Sequence, residues 1–295
     1  MPVEAPILLG THVHPATGDA ARRQADAVAS WRRLPNVSLV NLQFWNQVIE
    51  VEGFETLAEL RRDSVSVTGR PGIRKPVSSE VFSLLAQTAV ERGCSYFAFV
   101  NSDINVTEAA IEVLLANGRD ACLFSRMDVD ANGGGEIGVE LAGIDGFAIR
   151  AAWWIDHAHG FRPYIIGEAV WDNVYCAQLL CHGHGILMNR RAYITHERHA
   201  TLWKASPFAE YIQFLSALDA PYFSLWYSYW TRLRELRARG ASEAEELALQ
   251  AEVFVWRPLL ADRLAQRGRA AKAHLRYLLQ QHRAPLSGAE RRGPL

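Results

Sequence analysis

The first two thirds of the chain alternate between short apolar runs and segments with helical periodicity. The segments PILLGTHV, NVSLVNLQF, DSVSVTG, CSYFAFVNS and DACLFSRMD are typical of strands, while EGFETLAEL is ambiguous. Helical patterns lie between them, in ATGDAARRQADAVASWRRL, EVFSLLAQTAVERG and EAAIEVLLANG. Strands that alternate with helices predict an α/β fold, a sandwich of helices on both faces of a mostly parallel, mixed sheet.

Capping residues predict the ends of two of these helices. Ser78 or Ser79 is expected to cap the helix that Gly93 ends, and Thr107 the helix that Gly118 ends. Ser and Thr hydroxyls accept from the free N–H groups at the start of a helix, and Gly readily adopts the left-handed conformation that ends one. The following loop, DVDANGGGEIGVE, is so rich in Gly and Asn that no regular structure is expected there.

The later part of the chain changes in character. GIDGFAIRAAWWI predicts a strand that enters a helix, IIGEAVWDNVYCAQLLCHGHG a loop and a helix, and ILMNRRAYITHERH a further strand. We therefore expect an α/β domain over residues 1–200 and a helical, aromatic-rich region over 201–295. Ser242 and Glu245 form a capping-box pattern at the start of an amphipathic stretch in the latter.

Ten of the chain's thirty aromatic residues lie between Trp203 and Trp230. Such a segment can pack on the core or on a second subunit, line a groove that binds a ligand, or lie at a membrane interface. The pattern leaves these alternatives open, including a homodimer or peripheral membrane contact through residues 203–230.

Composition narrows the class of protein. The 295 residues carry a formal net charge of −1, so no basic field favours nucleic acid. The four cysteines form no CxxC pair, which is typical of reduced thiols in the cytoplasm. No apolar run reaches the length of a membrane span, and the first residues lack the pattern of a signal peptide, so we expect a cytoplasmic protein.

Oxygen-bearing side chains follow the buried run YFAFV directly. Asn101, Asp103 and Asn105 stand where a parallel strand ends, and ligands of open α/β sheets bind beyond such ends. Asp103 could hold Mg²⁺ or Mn²⁺, which take oxygen ligands and share them with phosphates. It could equally shape the turn between strand and helix.

Other polar residues could complete a site. Arg74 and Lys75, in the loop GRPGIRKP, could neutralise a diphosphate or simply face solvent. Asp172 could accept a proton from a hydroxyl or cap a helix. Asp145 and Glu168 are further acidic candidates, and His196, which follows a strand, could reach the carboxyl edge of the sheet or lie on the surface.

Taken in order, segments between residues 6 and 202 resemble the GT-A glycosyltransferases, whose fold binds nucleotide sugars. GIRKPVSSEVFSLLAQTAVERGCSYFAFVNSDI is similar to the segment that leads to the family's DxD motif, with Asn101 in place of the first Asp and Asp103 as the last. GEAVWDNVYCAQLLCHGHGILMNRRAYITHERH resembles the segment in which an acidic pair opens a helix and a histidine closes the last strand, with Trp171 where Glu is usual.

The resemblance implies transfer of a sugar from a nucleotide-diphospho-sugar to a hydroxyl acceptor. It assigns Mn²⁺ or Mg²⁺ to Asp103 and His196 and the catalytic base of an inverting enzyme to Asp172. Donor contacts would come from Arg74, Lys75, Asn101 and Asp103, and acceptor contacts from Asp145 and Glu168.

Two alternatives belong to other classes. His12, His14, His196 and Asp103 could hold zinc in an amidohydrolase-like barrel, although the chain has few βα units for such a barrel. A GT-A-like fold that has lost turnover could also serve as a sugar-binding or assembly protein, which the missing first Asp of the DxD motif favours.

Overall fold

The strands form two sheets. The computed structural model describes residues 7–131, 135–141, 143–199, 206–255 and Lys272. Within them, the strands are β1 (Ile7–Thr11), β2 (Val37–Phe44), β3 (Glu55–Leu60), β4 (Tyr96–Val100), β5 (Ile104–Val106), β6 (Ala121–Phe124), β7 (Met127–Val129), β8 (Glu136–Val139), β9 (Gly146–Arg150), β10 (Ile186–Met188) and β11 (Ile194–Glu197).

Helices connect most of these strands. They are α1 (Gly18–Trp31), α2 (Ser64–Thr68), α3 (Ser78–Glu91), α4 (Glu108–Asn117), α5 (Ala151–His157), α6 (Trp171–His182), α7 (Ala209–Leu218), α8 (Ala220–Ala238) and α9 (Glu243–Val253). No helix of the described ranges is long and apolar enough to cross a membrane.

The larger sheet confirms the predicted α/β class. Its strand order is β3-β2-β1-β4-β9-β6-β10, and only β9 runs antiparallel to its neighbours. The chain builds outward from β1 through β2 to β3, then returns to place β4 on the other side of β1. The connections therefore leave β1 and β4 in opposite directions, which opens a crevice at the carboxyl ends of these two strands.

Alternation along the strands divides the core between the two faces of this sheet. Leu8 belongs to the apolar cluster under α3, whereas Ile7 and Leu9 belong to the cluster under α1, because successive strand residues point to opposite faces. Gly10 lets α3 approach closely, since a Cβ atom there would lie 2.4 Å from a methyl carbon of Leu85.

The smaller sheet has the order β5-β11-β7-β8. It corrects two expectations. The Gly- and Asn-rich segment does contain regular structure, because it includes the last two residues of β7 and all of β8, which pair antiparallel. The chain after Asp103 does not enter a helix at once, since β5 first pairs with β11.

Two further local predictions were wrong. DSVSVTG is the helix α2, because Asp63 and Ser66 form a capping box at its start. The N-cap of α3 is Val77, and the hydroxyl of Ser78 instead donates to the Tyr164 carbonyl and contacts the Tyr175 hydroxyl.

Helix α8 packs on α6, and helices α7 and α9 pack on α8. Buried aromatic residues of this region, Phe208, Tyr222, Trp226 and Tyr229, share one apolar cluster with α3 and α6. Core packing thus accounts for these four, while Phe223 and Tyr227 stay exposed and Trp203 lies outside the described residues. The homodimer or membrane contact stays a prediction without support from the structure, and the domain boundary at residue 200 stays a prediction.

A buried carboxylate joins this helical region to the rest of the fold. Asp219 is 1% exposed and accepts hydrogen bonds from Nε of Arg162 at 2.9 Å and from the hydroxyl of Tyr164 at 3.1 Å. Both donors lie in the segment before α6, so one side chain fixes the start of α8 against it.

Asp219→Ala should lower the free energy of unfolding by about 2–4 kcal/mol, because it leaves a partly buried cation and a buried hydroxyl without their acceptor. Glu252→Ala is the matched control, since Glu252 and Arg232 form an ion pair whose side chains are 63% and 42% exposed. That variant should lose less than about 1 kcal/mol. Urea unfolding measures both, and equal losses would contradict the assigned role of Asp219.

Candidate functional site

A cavity of about 390 Å³ occupies the crevice at the carboxyl ends of β1 and β4. Phe99 forms part of its wall, and Asn101, Ser102 and Asp103 follow β4 directly into it. The residues that line the cavity are His12, His14, Ile73, Arg74, Lys75, Pro76, Phe99, Asn101, Ser102, Asp103, Ile166 and Gly167. The position is the one where open α/β sheets bind ligands.

The register of the smaller sheet brings two histidines to Asp103. In β11, His196 stands opposite Ile104 of β5 on one side and opposite Asp128 of β7 on the other. Oδ2 of Asp103 consequently lies 3.5 Å from Nε2 of His196 and 3.8 Å from Nε2 of His199. One carboxylate oxygen and two imidazole nitrogens therefore converge within 4.8 Å of one another.

This donor set fits a divalent transition metal. Two imidazoles and a carboxylate suit Mn²⁺, Fe²⁺ or Zn²⁺, whereas Mg²⁺ takes oxygen ligands. Burial alone would raise the pKa of Asp103, but the neighbouring imidazoles of His196 and His199 lower that pKa below its ordinary value. The carboxylate is therefore ionised at neutral pH, as a ligand must be.

A chain of polar contacts leads from His196 to Asn101. Nδ1 of His196 lies 3.2 Å from Oδ1 of Asp128, which accepts from Nε of Arg126 at 2.9 Å. The same guanidinium donates from Nη1 to Asp145 at 2.9 Å, and Asp145 accepts from Nδ2 of Asn101 at 2.8 Å. Asn101 thus presents an amide donor to a carboxylate, where an Asp would face a like charge.

The two basic residues of the cavity already have partners. Arg74 forms a close ion pair with Asp63, donates to Asn46 at 2.9 Å and lies over the ring of Phe44. Lys75 donates to Glu168 at 2.7 Å and to the carbonyl of Gly167 at 3.1 Å. A phosphate bound at this wall would compete with the carboxylates of Asp63 and Glu168 for these two cations.

The N-terminus of α6 holds Asp172. The N-cap is Val170, so the expectation that Asp172 caps this helix was wrong, and Asp172 is the second helical residue. Its carboxylate accepts from the backbone N–H of Ile144 at 3.0 Å. Trp171 is buried against Phe147, Phe99 and Phe82, which fixes the first turn of α6 beneath Asp172.

Two features of this segment are typical of functional sites. Val170 has a φ of 77°, an unfavourable conformation for a β-branched residue. Burial raises the pKa of Asp172 to about 7, the Ile144 N–H opposes this shift, and the nearby charge of Asp145 adds to it. Asp172 can therefore gain or lose a proton near neutral pH.

The zinc-barrel alternative is wrong in its fold, because the described strands form an open sheet and a small second sheet rather than a closed barrel. His12 contacts the carbonyl of Leu42 through Nδ1 and His14 contacts the hydroxyl of Ser102. Within the described residues, neither belongs to the group that converges at Asp103.

The structure brings together some of the predicted residues and adds others. Asn101, Asp103, Arg74 and Lys75 line one cavity, and His196 joins Asp103. Glu168 and Asp145 are held in internal ion pairs with Lys75 and Arg126, so their acceptor roles stay predictions. Sequence reasoning missed three participants, namely His199, Asp128 and Arg126; the HxxH spacing of His196 and His199 could have indicated the first.

Comparison with known proteins found no matching family model and no match among curated proteins. Among solved structures, S. aureus TarS is 12% identical over 91% of this chain and 88% of that chain, with a TM-score of 0.46. A Desulfovibrio desulfuricans protein described as a nucleotide-diphospho-sugar transferase is 12% identical over 74% and 98%, with a TM-score of 0.38. The Streptococcus pneumoniae glycosyltransferase GlyE is 14% identical over 75% and 63%, with a TM-score of 0.34.

At these identities and TM-scores the likeness assigns no family, substrate or residue role to this chain, so function has to be argued from the site itself.

Asn101→Asp should destabilise the protein by about 1–3 kcal/mol at pH 8, because two carboxylates would meet where an amide now donates to Asp145. Their repulsion raises a carboxyl pKa in the folded state, so the loss should shrink as the pH falls towards 5. Urea unfolding at both pH values measures this effect.

The exchange Asn101→Asp with Asp145→Asn should recover part of the loss, since it restores an amide opposite a carboxylate. A single Asn101→Asp variant as stable as the native protein at pH 8 would contradict the contact.

Proposed function

We propose that this chain is a glycosyltransferase that moves a sugar from a nucleotide-diphospho-sugar to a hydroxyl acceptor and uses a divalent cation. The observation that carries the proposal is the convergence of Asp103, His196 and His199 beside a cavity that Arg74 and Lys75 also line. Side chains that can bind an anion and side chains that can bind a cation thus lie together at the crevice between the carboxyl ends of β1 and β4.

The residues of this cavity suit a diphosphate donor. Arg74 and Lys75 present a planar and a point-like cation to the same space, and both recognise phosphate oxygens. Asp103, His196 and His199 would hold the cation, which when bound supplies charge neutralisation for a departing diphosphate. Their mixed nitrogen and oxygen donors favour Mn²⁺ over Mg²⁺.

Asp172 is the proposed general base. An acceptor hydroxyl is a weak acid, so a carboxylate that takes its proton during attack on the sugar carbon lowers the barrier. A carboxyl whose pKa is near 7 combines a substantial ionised fraction with greater basicity than an ordinary Asp. This role requires an enzyme that inverts configuration; in a retaining enzyme Asp172 would contact the acceptor instead.

Nucleoside diphosphates should bind in a Mn²⁺-dependent manner, which calorimetry with UDP, GDP, CDP, ADP and dTDP measures with and without the metal. Asp103→Ala should abolish that binding, with a loss greater than the roughly 10–100-fold typical of supporting residues. Asp156→Ala, which removes an exposed carboxylate on α5, is the matched control and should bind normally.

Failure of all five nucleotides to bind in the presence of Mn²⁺ would refute the donor class. Binding without hydrolysis or transfer of any nucleotide sugar would instead favour the alternative of a sugar-binding protein that lacks turnover.

Asp172→Asn should lower kcat/KM by about 10²–10⁴-fold, the usual contribution of a general base. In the native enzyme kcat/KM should rise with pH through about 7 as Asp172 ionises, and the variant should lose this rise. A pH series of initial rates tests both statements, and an unchanged rising limb in the variant would exclude Asp172 as the base.

Thermal unfolding gives a second readout of the same group. A carboxyl with a raised folded pKa binds its proton more tightly in the folded state, so its contribution to stability falls as the pH rises from about 4 to about 7. The Tm of the native protein relative to Asp172→Asn should therefore decrease over this range.

A further inference from the structure

Asp128 contacts Nδ1 of His196, the ring nitrogen that does not face Asp103. It lies on β7, a strand that contributes no residue to the site predicted from the sequence. Asp128 is the register partner of His196 across β7 and β11, and its Oδ1 lies 3.2 Å from Nδ1. Nε2 of the same ring lies on the side of Asp103, at 3.5 Å from Oδ2. His196 is therefore held between two carboxylates, one on each ring nitrogen.

We propose that Asp128 is a positioning residue that holds His196 with Nδ1 protonated and Nε2 free to bind a divalent cation beside Asp103. The inference rests on the proposed function for its biological role. A carboxylate that accepts from one imidazole nitrogen fixes the tautomer and the ring orientation, and makes the other nitrogen a better ligand.

Arg126 explains how Asp128 can stay in this place as an anion. Asp128 and Asp145 have side chains only 14% and 10% exposed, and the guanidinium of Arg126 lies between them at 2.9 Å from each. Burial alone would lower the pKa of Arg126, but the charges of Asp145 and Asp128 raise it above its ordinary value. The cation is thus permanent, and its Nε donates to the same carboxylate oxygen, Oδ1 of Asp128, that lies beside Nδ1 of His196.

The alternative role of Asp128 is purely structural, as one partner of a buried ion pair that stabilises β7. The two roles differ in what happens at His196. A structural role predicts lower stability with an unchanged imidazole, whereas a positioning role predicts a change of tautomer and of metal affinity.

Asp128→Ala should weaken Mn²⁺ binding by about 10–100-fold, the range typical of supporting residues around a metal. Asp128→Asn should lose less, because its amide oxygen can still accept from Nδ1. Asp120→Ala is the matched control, since Asp120 also pairs with an arginine, Arg150 at 3.2 Å, but at the opposite end of β6. Calorimetry with Mn²⁺ alone on the full chain, with stability measured in parallel, gives these values.

Long-range ¹H–¹⁵N NMR of the histidine rings at pH 8 supplies the readout that a structural role would not move. The native protein without metal should show His196 with a proton on Nδ1 and none on Nε2, assigned by its absence in His196→Gln. Asp128→Ala should transfer population to the other tautomer, and Asp128→Asn should restore much of the native pattern.

Two results would overturn the proposal: native Mn²⁺ affinity in a folded Asp128→Ala variant, or a doubly protonated His196 ring in the native protein at pH 8. These are distinct from failure of the proposed function. Mn²⁺ binding that depends on Asp128, with no affinity for nucleoside diphosphates, would retain the positioning role and reject the glycosyltransferase.

Discussion

The placement of β11 between β5 and β7 is the constraint on which the candidate site depends. Antiparallel pairing with β5 puts His196 beside the segment that carries Asp103, and parallel pairing with β7 puts Asp128 on its other side. Because side chains alternate along a strand, a shift of one residue in this register would turn His196 away from both carboxylates. The two ring nitrogens and the two acids meet only in the observed register.

Charge balance limits how this arrangement can be built. Asp103, Asp128 and Asp145 bring three carboxylates into one region, and Arg126 is the cation that lies between two of them. Poorly exposed charges are tolerated when they are paired and hydrogen-bonded, and costly otherwise. Asn101 fits this requirement, since its amide donates to Asp145 without adding a fourth negative charge.

The larger sheet could be predicted from the sequence because its signals are local. Buried runs such as YFAFV, together with αL glycines at Gly93 and Gly118, mark strands and helix ends without reference to the rest of the chain. The smaller sheet could not, because β5 and β7 are three residues each and their pairing is set by distant partners. Asp63 shows the same limit, since its capping box outweighs the strand-like alternation of SVSVT.

The candidate site likewise contains some residues that local sequence patterns predict and others that they do not. Asp103 and the basic loop follow recognisable local patterns, whereas Asp128 and Arg126 lie in a segment whose residue types indicate nothing beyond a strand end. Their roles arise from β7 facing β11, a contact of residues 68 apart for His196 and Asp128. A single sequence contains the residues of such a network but not the register that joins them.

Asp145 links this network to the proposed base. One of its oxygens accepts from Asn101 and the other from Arg126, while its charge also contributes to the raised pKa of Asp172. The contacts that hold the cation ligands in place and the electrostatic environment of the base therefore share one carboxylate. Any substitution that changes the charge of Asp145 should alter the ionisation of Asp172 even where the fold is intact, because the interaction acts through space rather than through a shared hydrogen bond. Arg126 limits this effect, since its permanent positive charge offsets part of the field of Asp145. The site thus keeps the pKa of Asp172 near neutrality through burial first and through a partly compensated carboxylate second.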